Sequence, residues 1–107
     1  SYPPYNIVKS DNSYTISLAI AGFSKDEIDI SIQENELVVK GAIKNDQENI
    51  EFLHKGIAGR NFERKFRLAD TIKVTDANYE NGLLHIFLER EIPEHQKPRK
   101  ISISSKN

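Results

Sequence analysis

The chain has 107 residues, no cysteine, and 15 Lys and Arg against 16 Asp and Glu, for a net charge of −1. One domain is the natural size; a dedicated nucleic-acid or membrane-surface binder would be clearly basic, and disulfide scaffolds, thiolate zinc sites, iron–sulfur clusters and Cys nucleophiles are excluded. No apolar run approaches the roughly 20 residues that span a bilayer, and none reads as a signal-peptide core.

Fourteen Ile and four Val stand against seven Leu and six Ala, a bias toward strands. All four prolines lie at the ends (Pro3, Pro4, Pro93 and Pro98), so a Pro-free core from Tyr5 to Ile92 is flanked by extended tails. The opening Ser1-Tyr2-Pro3-Pro4 has no initiator Met and reads as a cut inside a longer protein.

Period-2 alternation marks the strands in chain order. Tyr14–Ile20 places Ile16, Leu18 and Ile20 on one face. Ser24 can cap a single helical turn before Ile28. Ile28, Ile30 and Ile32 share a face, and Glu34-Asn35 then turns the chain into Leu37–Lys40. The polar segment Lys44–Asn49 reads as loop, Ile50–Leu53 as a possible short strand, and Gly56 and Gly59 permit a sharp return. Residues 43–59 are long for a connector, and such insertions are often functional. Phe62–Leu68 and Leu84–Leu88 alternate again, and Asn81-Gly82 is a strong hairpin signal because both residues tolerate positive φ. Seven or eight short strands without a long helix predict an all-β, immunoglobulin-like antiparallel sandwich. The domain is assigned to residues 1–92 and a C-terminal extension to 93–107, where four cations against one acid give +3.

Catalytic chemistry has no visible carrier. His54, His85 and His95 show no metal-ligand spacing, and there is no P-loop, nucleophile elbow or dinucleotide fingerprint. Gly56-Ile57-Ala58-Gly59 fits the GxxG of a KH domain, but that loop joins helices and these neighbours read as strands. Asp26-Glu27 reads as a solvated turn. No catalytic residue, cofactor or metal is therefore assigned.

Two features resist this plain reading. Arg64 shares parity with Phe62, Phe66 and Leu68, which puts a charge on the apolar face. Its register is frayed, or its stem packs while its head reaches water, or it is an inward charge at a sheet edge or subunit interface that makes an ion pair. Ile101-Ser102-Ile103 places two isoleucines facing one way on a basic, polar tail. Either the terminus is unstructured, or an open edge with pockets for alternate side chains receives them.

Together these residues resemble the α-crystallin domain of small heat-shock proteins over essentially the whole chain. Ala77–Leu84 resembles the family's A-x-x-x-N-G-x-L signature, and Gly22-Phe23 with Asp26-Glu27-Ile28 its turn before the fourth strand. Leu37–Gly41 and Arg60–Leu68 resemble its fifth and seventh strands, with Arg64 at the interface arginine, and Ile101-Ser102-Ile103 its C-terminal I-x-I. Tyr2–Asn6 and Glu63–Phe66 are most similar to bacterial inclusion-body-associated members. The resemblance implies a cytoplasmic, ATP-independent stress-response holdase. It would bind unfolding proteins and hold them refoldable by downstream ATP-dependent disaggregating chaperones, with no nucleic acid or membrane as partner.

It further implies a homodimer in which Ile50–Leu53 is exchanged onto the partner's first strand near Tyr5–Val8, giving an interface of Tyr5, Ile7, Ile50, Phe52, Leu53 and Arg64. Higher homo-oligomers would form when Ile101 and Ile103 dock between a neighbour's fourth and eighth strands, lined by Ile28, Ile30, Ile32, Val74 and Ala77. The family's hydrophobic N-terminal arm is missing from this sequence, so small assemblies and a weak holdase are expected. The alternative is a β-sandwich adaptor of the CS-domain type that binds one defined partner; such an adaptor needs neither an I-x-I tail nor a strand-exchange loop.

Overall fold

Alternating apolar residues become strands wherever a turn lets the chain reverse, and that rule builds most of this molecule. The computed structural model describes residues 2–44, 51–54, 60–92 and 98–105. Among them lie seven strands: β1 (Tyr5–Ser10), β2 (Ser13–Ala19), β3 (Ile28–Gln33), β4 (Glu36–Gly41), β5 (Phe62–Arg67), β6 (Ile72–Glu80) and β7 (Leu83–Arg90). They form two antiparallel sheets, ordered β1-β2-β7-β6 and β3-β4-β5, stacked as a sandwich.

Two hairpins use two-residue loops in the left-handed region. Glu34 and Asn35, at φ +50° and +64°, join β3 to β4; Asn81 and Gly82, at φ +55° and +77°, join β6 to β7. Paired positive φ matches the right-handed twist of the flanking strands. At Gly82 space matters too, because a Cβ there would stand 2.9 Å from that of Ala21. The Gly82 carbonyl accepts a hydrogen bond from Ile20 N–H at 2.9 Å, tying this hairpin to the end of β2.

The core lies between the sheets. Ile16, Leu18, Leu84, Ile86 and Leu88 come from one sheet and Leu37, Val39 and Phe66 from the other, with Ile20 and Phe23 from the connection after β2. Each such burial contributes about 1.5–3 kcal/mol before conformational entropy is counted. Gly41 sits at a close approach: a Cβ there would run into the rings of Phe62 and Phe23, which would have to shift.

Two elements depart from the sequence pattern. β6 carries a bulge between Val74 and Asp76. The extra residue, Thr75, lets Val74 pair with Leu88 while Ala77 and Tyr79 pair with Ile86 and Leu84, so Val74 and Ala77, three apart, fall on the same side of the sheet. β1 has all six residues exposed and forms one edge of its sheet.

Of the short strand expected at Ile50–Leu53, only residues 51–53 are described, and the single chain does not form it there. Glu51–His54 take no strand conformation, and Ile50 falls outside the described residues. Strands require a paired edge, and no described strand pairs with residues 51–54. Gly56 and Gly59 likewise fall outside the described residues.

Candidate functional site

The two long sides of the sandwich differ, and this difference makes the site. On one side β1 and β5 are bridged by an alternating series of rings and cations. Tyr2 meets Phe62 edge-on at 5.9 Å and lies under Arg60, whose guanidinium carbon is 4.9 Å from the ring centroid. Arg64 donates from Nη2 to the Pro3 carbonyl at 2.9 Å and lies 4.8 Å over the Tyr5 ring. Tyr5 in turn meets Phe66 edge-on at 5.2 Å. Pro3 is fully buried by this arrangement.

Arg64 is therefore inward, on the face that its parity with Phe62 and Phe66 predicted. The ion pair expected for it is absent among the described residues; a carbonyl and an aromatic face hold the charge instead. Its Nε is buried without a partner, which marks the guanidinium as incompletely satisfied within the single chain.

The opposite side, between β3 and β6, is open. A groove of about 200 Å³ runs there, lined by Ile28 and Ile30 of β3, Ala77 and Tyr79 of β6, and Leu84 of β7, with Lys25 and Asn78 at its border. The bulge at Thr75 turns Ala77 and Tyr79 into it. Tyr79 was not singled out by sequence reasoning. Its hydroxyl stands 2.7 Å from the Phe23 carbonyl and 3.0 Å from that of Ile20, close enough to donate to either, so it pins the groove wall to the corner after β2. An isolated tyrosine in a strand carries no sequence signal of that reach.

Of the other residues expected along this groove, two lie outside its lining. Ile32 is half-exposed at the far end of β3, next to the Glu34-Asn35 turn, and Val74 lies beyond the bulge, packed on the core. On the tail, Ile101 is 77% and Ile103 96% exposed, so both isoleucines are offered to solvent. On the candidate dimer edge, Tyr5, Ile7 and Phe52 are about half-exposed and Leu53 is fully exposed.

A carboxylate clamp closes the stem of the 44–60 connection. Ser24 does cap a single turn, the 3₁₀ helix Lys25–Glu27. One Glu27 oxygen accepts from Ser24 N–H at 2.8 Å and the other from Lys44 N–H at 2.7 Å. Asp26 accepts from the Ser24 hydroxyl at 2.6 Å and from Lys44 Nζ at 3.1 Å. These hydrogen bonds favour the ionised forms and hold both carboxyls below their ordinary range. The Asn61 side chain accepts from Ile43 N–H at 3.0 Å and joins the other stem.

His85 sits on the outer face of β7, with Nδ1 2.7 Å from the Ser17 hydroxyl and its ring stacked on Phe87. This is a packed surface histidine. Among the described residues no three His, Asp or Glu side chains gather where a metal ion could be held. No described helix is long and apolar enough to cross a membrane.

The sequence model of the Hsp20/alpha crystallin family matches residues 6–104. The chain belongs to that family. Small heat shock protein IbpA of Escherichia coli is 54% identical over 104 residues, which are 96% of this chain and 76% of that protein. The structure of a small heat shock protein from Synechococcus phage S-ShM2 is 36% identical and superposes with a TM-score of 0.70, covering 88% of this chain and all of the other. The fold is shared more widely: a small heat-shock protein from Xylella fastidiosa gives a TM-score of 0.75 at 22% identity, covering 98% of each chain. Members of the Hsp20/alpha crystallin family are ATP-independent chaperones rather than enzymes, and this chain is a chaperone of that kind.

Proposed function

We propose that this chain is a holdase. It binds proteins that are beginning to unfold, limits their aggregation without nucleotide, and leaves them to ATP-dependent disaggregating chaperones in the cytoplasm. The observation that carries this reading is an unmatched pair within one chain: an open apolar groove between β3 and β6, and two exposed isoleucines on a tail. Groove and tail are complementary, so copies of the chain assemble by placing Ile101 and Ile103 in a neighbour's groove against Ile28, Ile30 and Ala77. Burying two isoleucines is worth about 3–5 kcal/mol gross. Ordering the tail offsets much of that, so each contact is weak, reversible and strengthened by multivalency. A groove that is released on assembly exchange is a surface for exposed apolar client segments.

The dimer that carries the tails forms at β1. That strand is a sheet edge, and residues 50–53 of a partner add to it as a further strand. Arg64, with its unsatisfied Nε, stands at the same edge. Deleting residues 44–54 is expected to yield monomers; a persisting dimer places the interface elsewhere.

The functional test is light scattering of a heat-stressed client with the full chain and no nucleotide. Suppression at near-stoichiometric ratios is the expected result. Undiminished aggregation overturns the holdase reading for this chain.

A further inference from the structure

A second hollow, of about 420 Å³, shares no lining residue with the β3/β6 groove. It opens between the inner faces of β1, β2 and β7 and the segment that leaves β5. Its volume falls in the range of small-molecule sites, about 300–1,000 Å³. Ile16, Phe66 and Leu88 form a buried, wholly apolar floor. Ile7 forms a wall and leaves 54% of its surface in water. An apolar chain placed here would cover that surface.

The charges around it have one sign. Lys65, Arg67 and Arg90 contribute to the lining and, among the described residues, no carboxylate does. They are not equivalent. Lys65 is engaged by Glu63 at 3.4 Å, and Arg67 stands opposite Glu36 in the β4–β5 register. Arg90 shares the inward parity of Leu88, and its guanidinium donates to the Tyr14 hydroxyl at 3.1 Å. That partner is neutral, so among the described residues no carboxylate opposes the charge of Arg90 at the hollow. Glu89 alternates to the other face of β7.

We propose that this hollow binds a single-chain amphiphile with an anionic head, the alkyl chain on Ile16, Phe66 and Leu88 and a carboxylate or sulfate on Arg90. A charged acceptor forms a charge-assisted hydrogen bond with a guanidinium that a neutral hydroxyl forms only weakly. A cationic head is repelled. The hollow is sized for one chain, so a free amphiphile fits where a two-chain lipid held in a bilayer does not.

The test uses the full chain and a dansylated undecanoic acid, below its micelle concentration, followed by fluorescence. Decanoate is expected to displace the probe, decanol to do so about tenfold more weakly, and decyltrimethylammonium not at all. Arg90→Glu is expected to lower probe affinity at least about tenfold, and the milder Arg90→Gln to lower it with an unchanged circular dichroism spectrum. Ala77→Glu, in the other groove, is expected to leave it unchanged. Equal displacement by decanol, or loss of binding in Ala77→Glu with retention in Arg90→Glu, overturns the proposal. So does Arg90-dependent sedimentation with phosphatidylglycerol vesicles in the absence of probe binding, because it assigns the charge to a lipid surface.

Discussion

Arg64 holds Pro3 by its carbonyl, across 61 residues of chain, while its guanidinium covers the ring of Tyr5. This one side chain fixes the segment before β1 against β5 and so bridges one long side of the sandwich near the start of both strands. Among the described residues the opposite side has no such bridge, and the β3/β6 groove lies there.

Replacing Arg64 is therefore expected to loosen β1. Arg64→Ala removes a charge-assisted hydrogen bond, a cation–π contact and the packing of its stem, and is expected to cost about 2–3 kcal/mol. Arg64→Lys is expected to restore only part, because an ammonium lacks the planar fork that serves both carbonyl and ring. Urea unfolding midpoints measure both; equal stability of the three chains contradicts the bridge.

Tyr79→Phe deletes the hydroxyl that donates to the carbonyl of Phe23 or of Ile20 and leaves one of these acceptors short of a donor. A loss of about 1–2 kcal/mol is expected, with faster amide exchange at Ile20 and Phe23. A loss of stability without that local change contradicts the pinning role.

Glu27 and Asp26 tie the stem of the 44–60 connection to acid. Their pKa values are lower folded than unfolded, Glu27 through the backbone N–H groups of Ser24 and Lys44, Asp26 through the Ser24 hydroxyl and Lys44. Depressed carboxyls contribute stability above their unfolded values, and that contribution disappears as pH falls through the folded values. The Ser24 and Lys44 amide resonances are expected to shift only below the ordinary carboxylate range. In Glu27→Gln that pH-dependent shift is expected to vanish; its persistence contradicts the clamp.

Much of this architecture is legible in the residues themselves. Ile16, Leu18 and Ile20, the Phe62–Leu68 alternation and the Leu84–Leu88 run carry period 2 strongly enough to mark β2, β5 and β7. Glu34-Asn35 and Asn81-Gly82 mark the turns. β6 escapes because the bulge at Thr75 breaks the parity between Val74 and Ala77, so no alternating pattern survives. β1 is reached only through the family resemblance, which implies a first strand near Tyr5–Val8, because its strand identity comes from pairing with β2 and not from a buried face of its own. The inward position of Arg64 is written in its parity, but its partner is not, since nothing local to residue 64 points to the carbonyl of Pro3. For the same reason the groove is only half readable: Ile28 and Ile30 announce themselves, whereas Tyr79 enters through contacts 56 and 59 residues away.

Ile101→Ala with Ile103→Ala is expected to lower the mass of the assembly and leave the circular dichroism spectrum intact, because both side chains lie outside the core. Multi-angle scattering at several concentrations measures it, and an unchanged mass contradicts a role for the tail in assembly.

The most direct test of the groove as the tail's receptor uses the absence of native cysteine. One copy carries Ile103→Cys and a mass-tagged second copy carries Ala77→Cys; the two are mixed, allowed to exchange subunits and oxidised. The expected result is a covalent heterodimer that forms faster than either homodimer and is suppressed by an excess of peptide spanning residues 98–105. Heterodimer at no more than the statistical yield, indifferent to that peptide, would contradict the account.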